Sequence, residues 1–318
     1  MNDESASRDA MGRRSRLQPA STGKRVSLTD RDWVWLRRLA EHGPLSSSFL
    51  LVFVGDLRVS EKRARERLTD LFNEDNTPHG GAYLTRPPQQ FHTLDSRYNQ
   101  LVYDLAPAGK RALREVSIVP SRNAGPWLHR YMVSSITASI ELAINARDDL
   151  RFIPQSAILS RAETDLETTV TIPAMTRSIK LIPDALFGIE HLTPKGSRFR
   201  FFVVEADRAT EPLSSANFNR KSALRSFHAY HTYIGAGRYQ EHLKLTAPLL
   251  VLNVSSDPAR TQKTVALYER TVSDGISYQL FQSWAAFAPP FRPPEPNADL
   301  LQGEWRRAGK GPFRIDRL

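Results

Sequence analysis

Glu205 and Asp207 follow directly on the apolar run Phe201-Phe202-Val203-Val204. Residues two apart on a strand point to one face, so the strand predicted by this run ends with two carboxylates side by side. A third, Asp184, follows Pro183 just before the apolar stretch Ala185-Leu186-Phe187. If these two strands pair as a hairpin, Asp184 and Glu205 meet at one end of the sheet. Carboxylates that close repel and need a cation or a proton between them. Mg²⁺ takes oxygen ligands and keeps several waters, and it can polarise a phosphodiester and activate water. The competing expectation is a strand end tied by salt bridges to Arg208 or Lys221, since carboxylates after buried apolar residues need specific partners.

A predicted helix over residues 217–234 follows. On it Lys221, Arg225 and His228 fall at i, i+4 and i+7, opposite an apolar face of Leu224, Phe227 and Ile234. That polar face either supplies a cation to the carboxylates or a phosphate, or is simply solvated. Glu141, on another predicted helix, is a candidate extra metal ligand or an ordinary surface residue. The eight histidines include no HExxH pair, the spacing of His228 and His231 is insufficient alone, and no serine sits in a G-x-S-x-G turn. No Gly-rich phosphate loop is found: the Gly-Ala-Gly at 235–237 follows a helix and reads as a stop signal.

The 44 Lys and Arg residues against 34 Asp and Glu leave a net charge of +10, which favours polyanionic partners, nucleic acid first. No cysteine is present, which removes disulfides and thiolate metal sites and suits a reducing compartment. No apolar run approaches the ~20 residues that span a bilayer, and the N-terminus has no hydrophobic signal core. The expectation is a cytoplasmic protein with no membrane partner.

A chain of 318 residues holds two ordinary domains. Residues 1–26 read as a disordered basic arm. Residues 27–116 predict three helices and a hairpin. The first is capped by Ser27 or Thr29 and carries a stripe of Trp33, Leu36 and Leu39. The second lies in PLSSSFLLVFV. The third is capped by Ser60 and buries Ala64, Leu68, Leu71 and Phe72. Two strands (AYLTR and NQLVYDL) and a helix (PAGKRALREV) close the unit. Three helices followed by a hairpin is the order of a winged helix-turn-helix, whose third helix enters the major groove. The candidate DNA contacts are Lys62, Arg63, Arg65 and Arg67 on the third helix, with Arg86 and Arg97 on the wing. Residues 117–125 read as a linker. Residues 126–289 alternate helices and apolar strands and predict an α/β domain with a mixed central sheet. Residues 290–318 form a Pro-rich, then basic, tail, docked or disordered.

Pro183-Asp184, a strand, then Glu205-Ala206-Asp207 resembles the PD-(D/E)xK nuclease motif, within elements in that superfamily's α-β-β-β-α-β order. With a winged helix ahead of it, the FVVEADRATEP segment and the Lys221 to Tyr230 helix after it, residues 28–290 resemble the replication-relaxation family of plasmid and mobile-element proteins. The resemblance implies a winged helix followed by a nuclease-like α/β domain, acting in replication, DNA relaxation or mobilisation. It implies Mg²⁺ on Asp184, Glu205 and Asp207, and catalysis by these three with Lys221. The motif's final lysine is replaced here by Asp207, and Lys221 is the candidate substitute. Duplex DNA is the expected partner; a relaxase or replication protein and a second copy in a homodimer are the others carried. An active endonuclease and a winged-helix transcriptional regulator, its α/β half serving dimerisation or partner docking, are the alternatives.

Overall fold

The computed structural model describes residues 16–55, 60–75, 78–91, 100–120, 125–162, 167–172, 175–210, 212–215, 222–271, 277–288 and 292–318, with backbone only for 167–172 and 175–177. The chain is a mixed α/β protein of two compact units. The first draws on residues 1–122, Pro126–Ala138 and Arg292–Pro296; the second draws mainly on Ser139–Phe291 and Asn297–Leu318.

In the first unit the order is α1 (Asp30–His42), β1 (Leu45–Ser46), α2 (Ser47–Phe53), α3 (Glu61–Asn73), β2 (Leu84–Thr85), β3 (Val102–Leu105) and α4 (Pro107–Glu115). The three strands form one antiparallel sheet in the order β1-β3-β2. Thr29 caps α1 in a reciprocal box with Asp32, which satisfies two end donors at once. The apolar stripe of α1 is Trp35, Leu36, Leu39 and Ala40; Trp33 is only half-buried, so the expected stripe is rotated toward Trp35. The indole N–H of Trp35 donates to the Leu50 carbonyl at 2.7 Å, and that polar anchor decides which tryptophan goes inside. In α3 the Ser60 hydroxyl accepts from the Arg63 N–H, and Ala64, Leu68, Leu71 and Phe72 are the buried residues, as the period predicts.

The expected disordered arm does not extend to residue 26. Ser21 and Thr22 donate to the carboxylate of Glu74 at 2.6–3.2 Å, Lys24 pairs with Asp70 at 2.9 Å, and Val26 is buried. Glu74, at the end of α3, is itself buried and collects these donors, an attachment that no local pattern announces.

The helix α5 (Trp127–Asn145) leads to β4 (Leu150–Ile153), α6 (Gln155–Leu159), the β5 (Glu167–Ile172) and β6 (Met175–Lys180) hairpin, β7 (Ala185–Thr193) and β8 (Gly196–Asp207). Then come α7 (Ala223–Gly235), α8 (Arg238–Leu243), β9 (Leu249–Ser255), α9 (Pro258–Thr271), β10 (Gln279–Ser283), α10 (Asp299–Gln302) and β11 (Arg306–Arg307). Six strands make one mixed sheet in the order β11-β10-β9-β8-β7-β4, with β8, β9 and β10 parallel. Leu186, Phe201, Val203, Leu249 and Val251 on one face pack with Ala229, Tyr230 and Tyr233 of α7. Phe227 of α7, Val265 and Tyr268 of α9 and Phe281 of β10 extend that layer. Phe152, Phe187 and Phe202 stack in sequence across β4, β7 and β8.

The tail is docked: Leu300, Leu301, Trp305 and Ile315 are fully buried, and β11 completes the sheet edge. No helix among the described residues is long and apolar enough to cross a membrane.

Candidate functional site

The pairing Ala185 to Val204 ends the β7–β8 ladder, and Asp184 stands just before β7 at that end. Strand alternation aligns Glu205 and Asp207 with Val203, on the face covered by α7. Glu205 and Asp207 therefore share one face at the end of β8, with the Asp184 carboxylate beside them.

The three acids accept from a backbone N–H, a phenol and an arginine. Asp184 Oδ2 accepts the Ala206 backbone N–H at 2.8 Å. Glu205 Oε1 accepts the phenol of Tyr230 at 2.5 Å. Asp207 Oδ2 accepts Nε of Arg260 at 2.8 Å, while its Oδ1 accepts the Ala209 N–H at 2.7 Å. Burial, then the charge of Glu205 and its hydrogen bond, with Asp184 adding to them, push the Tyr230 phenol well above its ordinary value. Tyr230 thus stays a neutral donor beneath both carboxylates.

Among the described residues the cation on Asp207 is not the expected Arg208. That cation is Arg260, from the first turn of α9, more than fifty positions along the chain. The signal for it is that β9 runs parallel to β8 with Ser255 beside Asp207, so the helix that follows β9 begins next to the acids. Glu141 is buried rather than solvated. Lys221 lies outside the described residues; α7 begins at Ala223, with the Ser222 hydroxyl accepting from the Arg225 N–H. Arg225 and His228 do lie on α7, and burial with the neighbouring His231 lowers the His228 imidazole below its usual value.

Among the described residues no three His, Asp or Glu side chains are grouped so as to hold a metal ion. Mg²⁺ would need oxygens converging on one point with room for its waters. Asp184, Glu205 and Asp207 each accept a protein donor, and among the described residues they are not grouped as such a set.

The cationic residues of the first unit separate into two kinds. Lys62 and Arg63 are exposed on α3, and Arg65 is half out, with Nε on Glu61 at 2.8 Å and Nη1 on the Ser47 hydroxyl at 2.9 Å. Arg67 instead grips the fully buried Asp32 through Nε and Nη2 at 2.7–3.2 Å, and also reaches the Ser27 carbonyl. Arg86 is buried, with its guanidinium 3.9 Å from the Phe72 ring centroid and bonded to Tyr103, Thr69 and the Arg16 carbonyl. Burial lowers its pKa, and the Tyr103 hydroxyl offsets that in part. Neither Arg67 nor Arg86 is placed as an outward phosphate contact: a buried acid claims the first and two aromatic rings the second. Arg97 lies outside the described residues.

Together the elements define a mixed α/β protein with an outward cationic helix in one unit and an acidic sheet end in the other. Residues 36–249 match the Replication-relaxation family, about two thirds of the chain, and the protein belongs to that family. No curated protein and no solved structure matches it.

Proposed function

We propose that this member of the Replication-relaxation family is a duplex-DNA-binding protein that acts in replication, relaxation or mobilisation of plasmid or mobile-element DNA. The first unit works as a winged helix. The observation that carries the reading is the exposure of Lys62, Arg63 and Arg65 on α3, behind which α1, α2 and the β1-β3-β2 sheet supply a fixed support. Charges at those positions neutralise phosphates and release counterions, and the helix itself fits a major groove. The plasmid or mobile-element setting rests on the family resemblance alone.

The second unit is read as a nuclease-like α/β domain that holds rather than cuts. Its three acids each accept a protein donor, from Ala206, Tyr230 and Arg260, and no cleavage step is proposed. Transcriptional regulation without a role for these acids has no observation that favours it.

The test is duplex binding across salt. Wild type is expected to lose affinity steeply between ~50 and 200 mM salt. Lys62→Ala and Arg63→Ala are each expected to flatten the slope of log K against log salt by about 0.9. Binding indifferent to salt, or to both substitutions, would overturn the reading.

A further inference from the structure

We infer that Arg292–Pro296 is an autoinhibitory strap that occupies the flank of the cationic helix and must be displaced for full DNA affinity; this rests on the DNA-binding reading of α3. The segment RPPEP is flanked in sequence by parts of the second unit, yet it packs as part of the first. Three of its five residues are proline, whose fixed φ holds an extended chain at small entropic cost.

Gln100 is the clasp. Its side-chain N–H₂ faces the carbonyls of Pro293 and Pro294 at 3.0 and 3.2 Å and Oε1 of Glu295 at 3.1 Å. An amide has two hydrogens for these three acceptors, so at least one is shared. On the other side Gln100 Oε1 accepts the Ser48 N–H of α2 at 3.0 Å. One side chain therefore links the strap to the helix that packs on α3.

Glu295 reaches a cavity of about 430 Å³ between α2 and α3, whose walls include Ser48, Leu51, Val52, Glu61 and Arg65. Arg65 is the outward cation of α3 nearest this flank, and Glu61 and Ser47 already engage it. A carboxylate on the same cavity carries the charge and oxygens of a phosphate. While the strap is seated, Glu295 adds a second acid to the cavity that Arg65 lines beside its partner Glu61, and a DNA phosphate approaching from this flank meets the charge of both.

Two substitutions separate the effect from bulk charge. Glu295→Gln removes the acid and keeps the shape; Gln100→Ala leaves net charge unchanged and opens the clasp. Both are expected to bind a duplex about three- to tenfold tighter than wild type at ~0.1 M salt, a gain that unfolding cannot mimic. Both binding as wild type does, or more weakly, overturns the strap. If neither wild type nor variants show salt-sensitive binding, the DNA-binding reading falls first and takes this one with it.

Because the chain has no cysteine, a Val52→Cys/Glu295→Cys pair can be bridged by a short bismaleimide. A seated strap gives the cross-link, and saturating duplex lowers its yield. A yield unchanged by duplex overturns displacement.

Discussion

Tyr230 of α7 donates its phenolic hydrogen to Glu205 at the end of β8, so the acid that follows four apolar residues is answered by a neutral group from the facing helix. A hydrogen bond to a charged group contributes about 1.5–3 kcal/mol. Tyr230→Phe should lose that amount in urea unfolding, and Glu205→Gln, which keeps an acceptor for the phenol, should lose less. A Tyr230→Phe variant within ~0.5 kcal/mol of wild type would mean the carboxylate has another principal partner.

Arg67 and its neighbours Lys62 and Arg63 look alike in the sequence but are expected to behave oppositely. Arg67 holds Asp32, which is fully buried, and breaking such a pair from one side costs about 3–5 kcal/mol. Arg67→Ala should therefore unfold far below wild type. Lys62→Ala and Arg63→Ala should unfold within ~0.5 kcal/mol of it, and lose only duplex affinity. Equal thermal stability across the three variants would remove the distinction.

Gly188 sets how closely β7 packs. It pairs with Phe201 on one side and Ile153 on the other. A Cβ there would stand 2.8 Å from the Phe201 ring and 3.2 Å from Ile153 Cβ. Overpacking of this kind costs about 1–3 kcal/mol, so Gly188→Ala should lower the urea midpoint. A midpoint equal to wild type would show that the ring can swing aside.

Local patterns made α3, β8 and α9 readable, because each element carries its own period, cap or apolar run. The β7–β8 hairpin that brings Asp184 to the end of β8 was readable too, since it needs only two apolar strands in sequence. What stayed hidden depends on residues distant in the chain. Arg260 meets Asp207 only because β8 and β9 are parallel neighbours. Arg86 looks like a wing cation until Phe72 and Tyr103 close over it. The tail buries Leu300, Leu301, Trp305 and Ile315 at spacings with no helical or strand period, so nothing local marks it as part of the core. The strands β5 and β6 arise from a polar stretch rich in threonine, where no burial pattern points to a sheet.

Glu74 gives the molecule a defined acid limit. Burial alone would raise its carboxyl pKa, but donors from Ser21, Thr22 and Gly23 hold it at about 2, below its ordinary 4.5. A folded-state pKa below the unfolded one means the anion is what the fold favours. The stabilisation is thus complete above pH 4.5 and disappears as pH falls toward 2. Glu74→Gln should forfeit about 1.5–3 kcal/mol at neutral pH and show a shallower fall in stability between those limits, because the group that binds the proton on unfolding is gone. The same substitution should release residues 20–24 from the end of α3, since Ser21 and Thr22 lose a charged acceptor. Amide exchange at Thr22 reports that directly. Unchanged protection at Thr22, together with an acid limb as steep as in wild type, would show that the segment is held by other contacts.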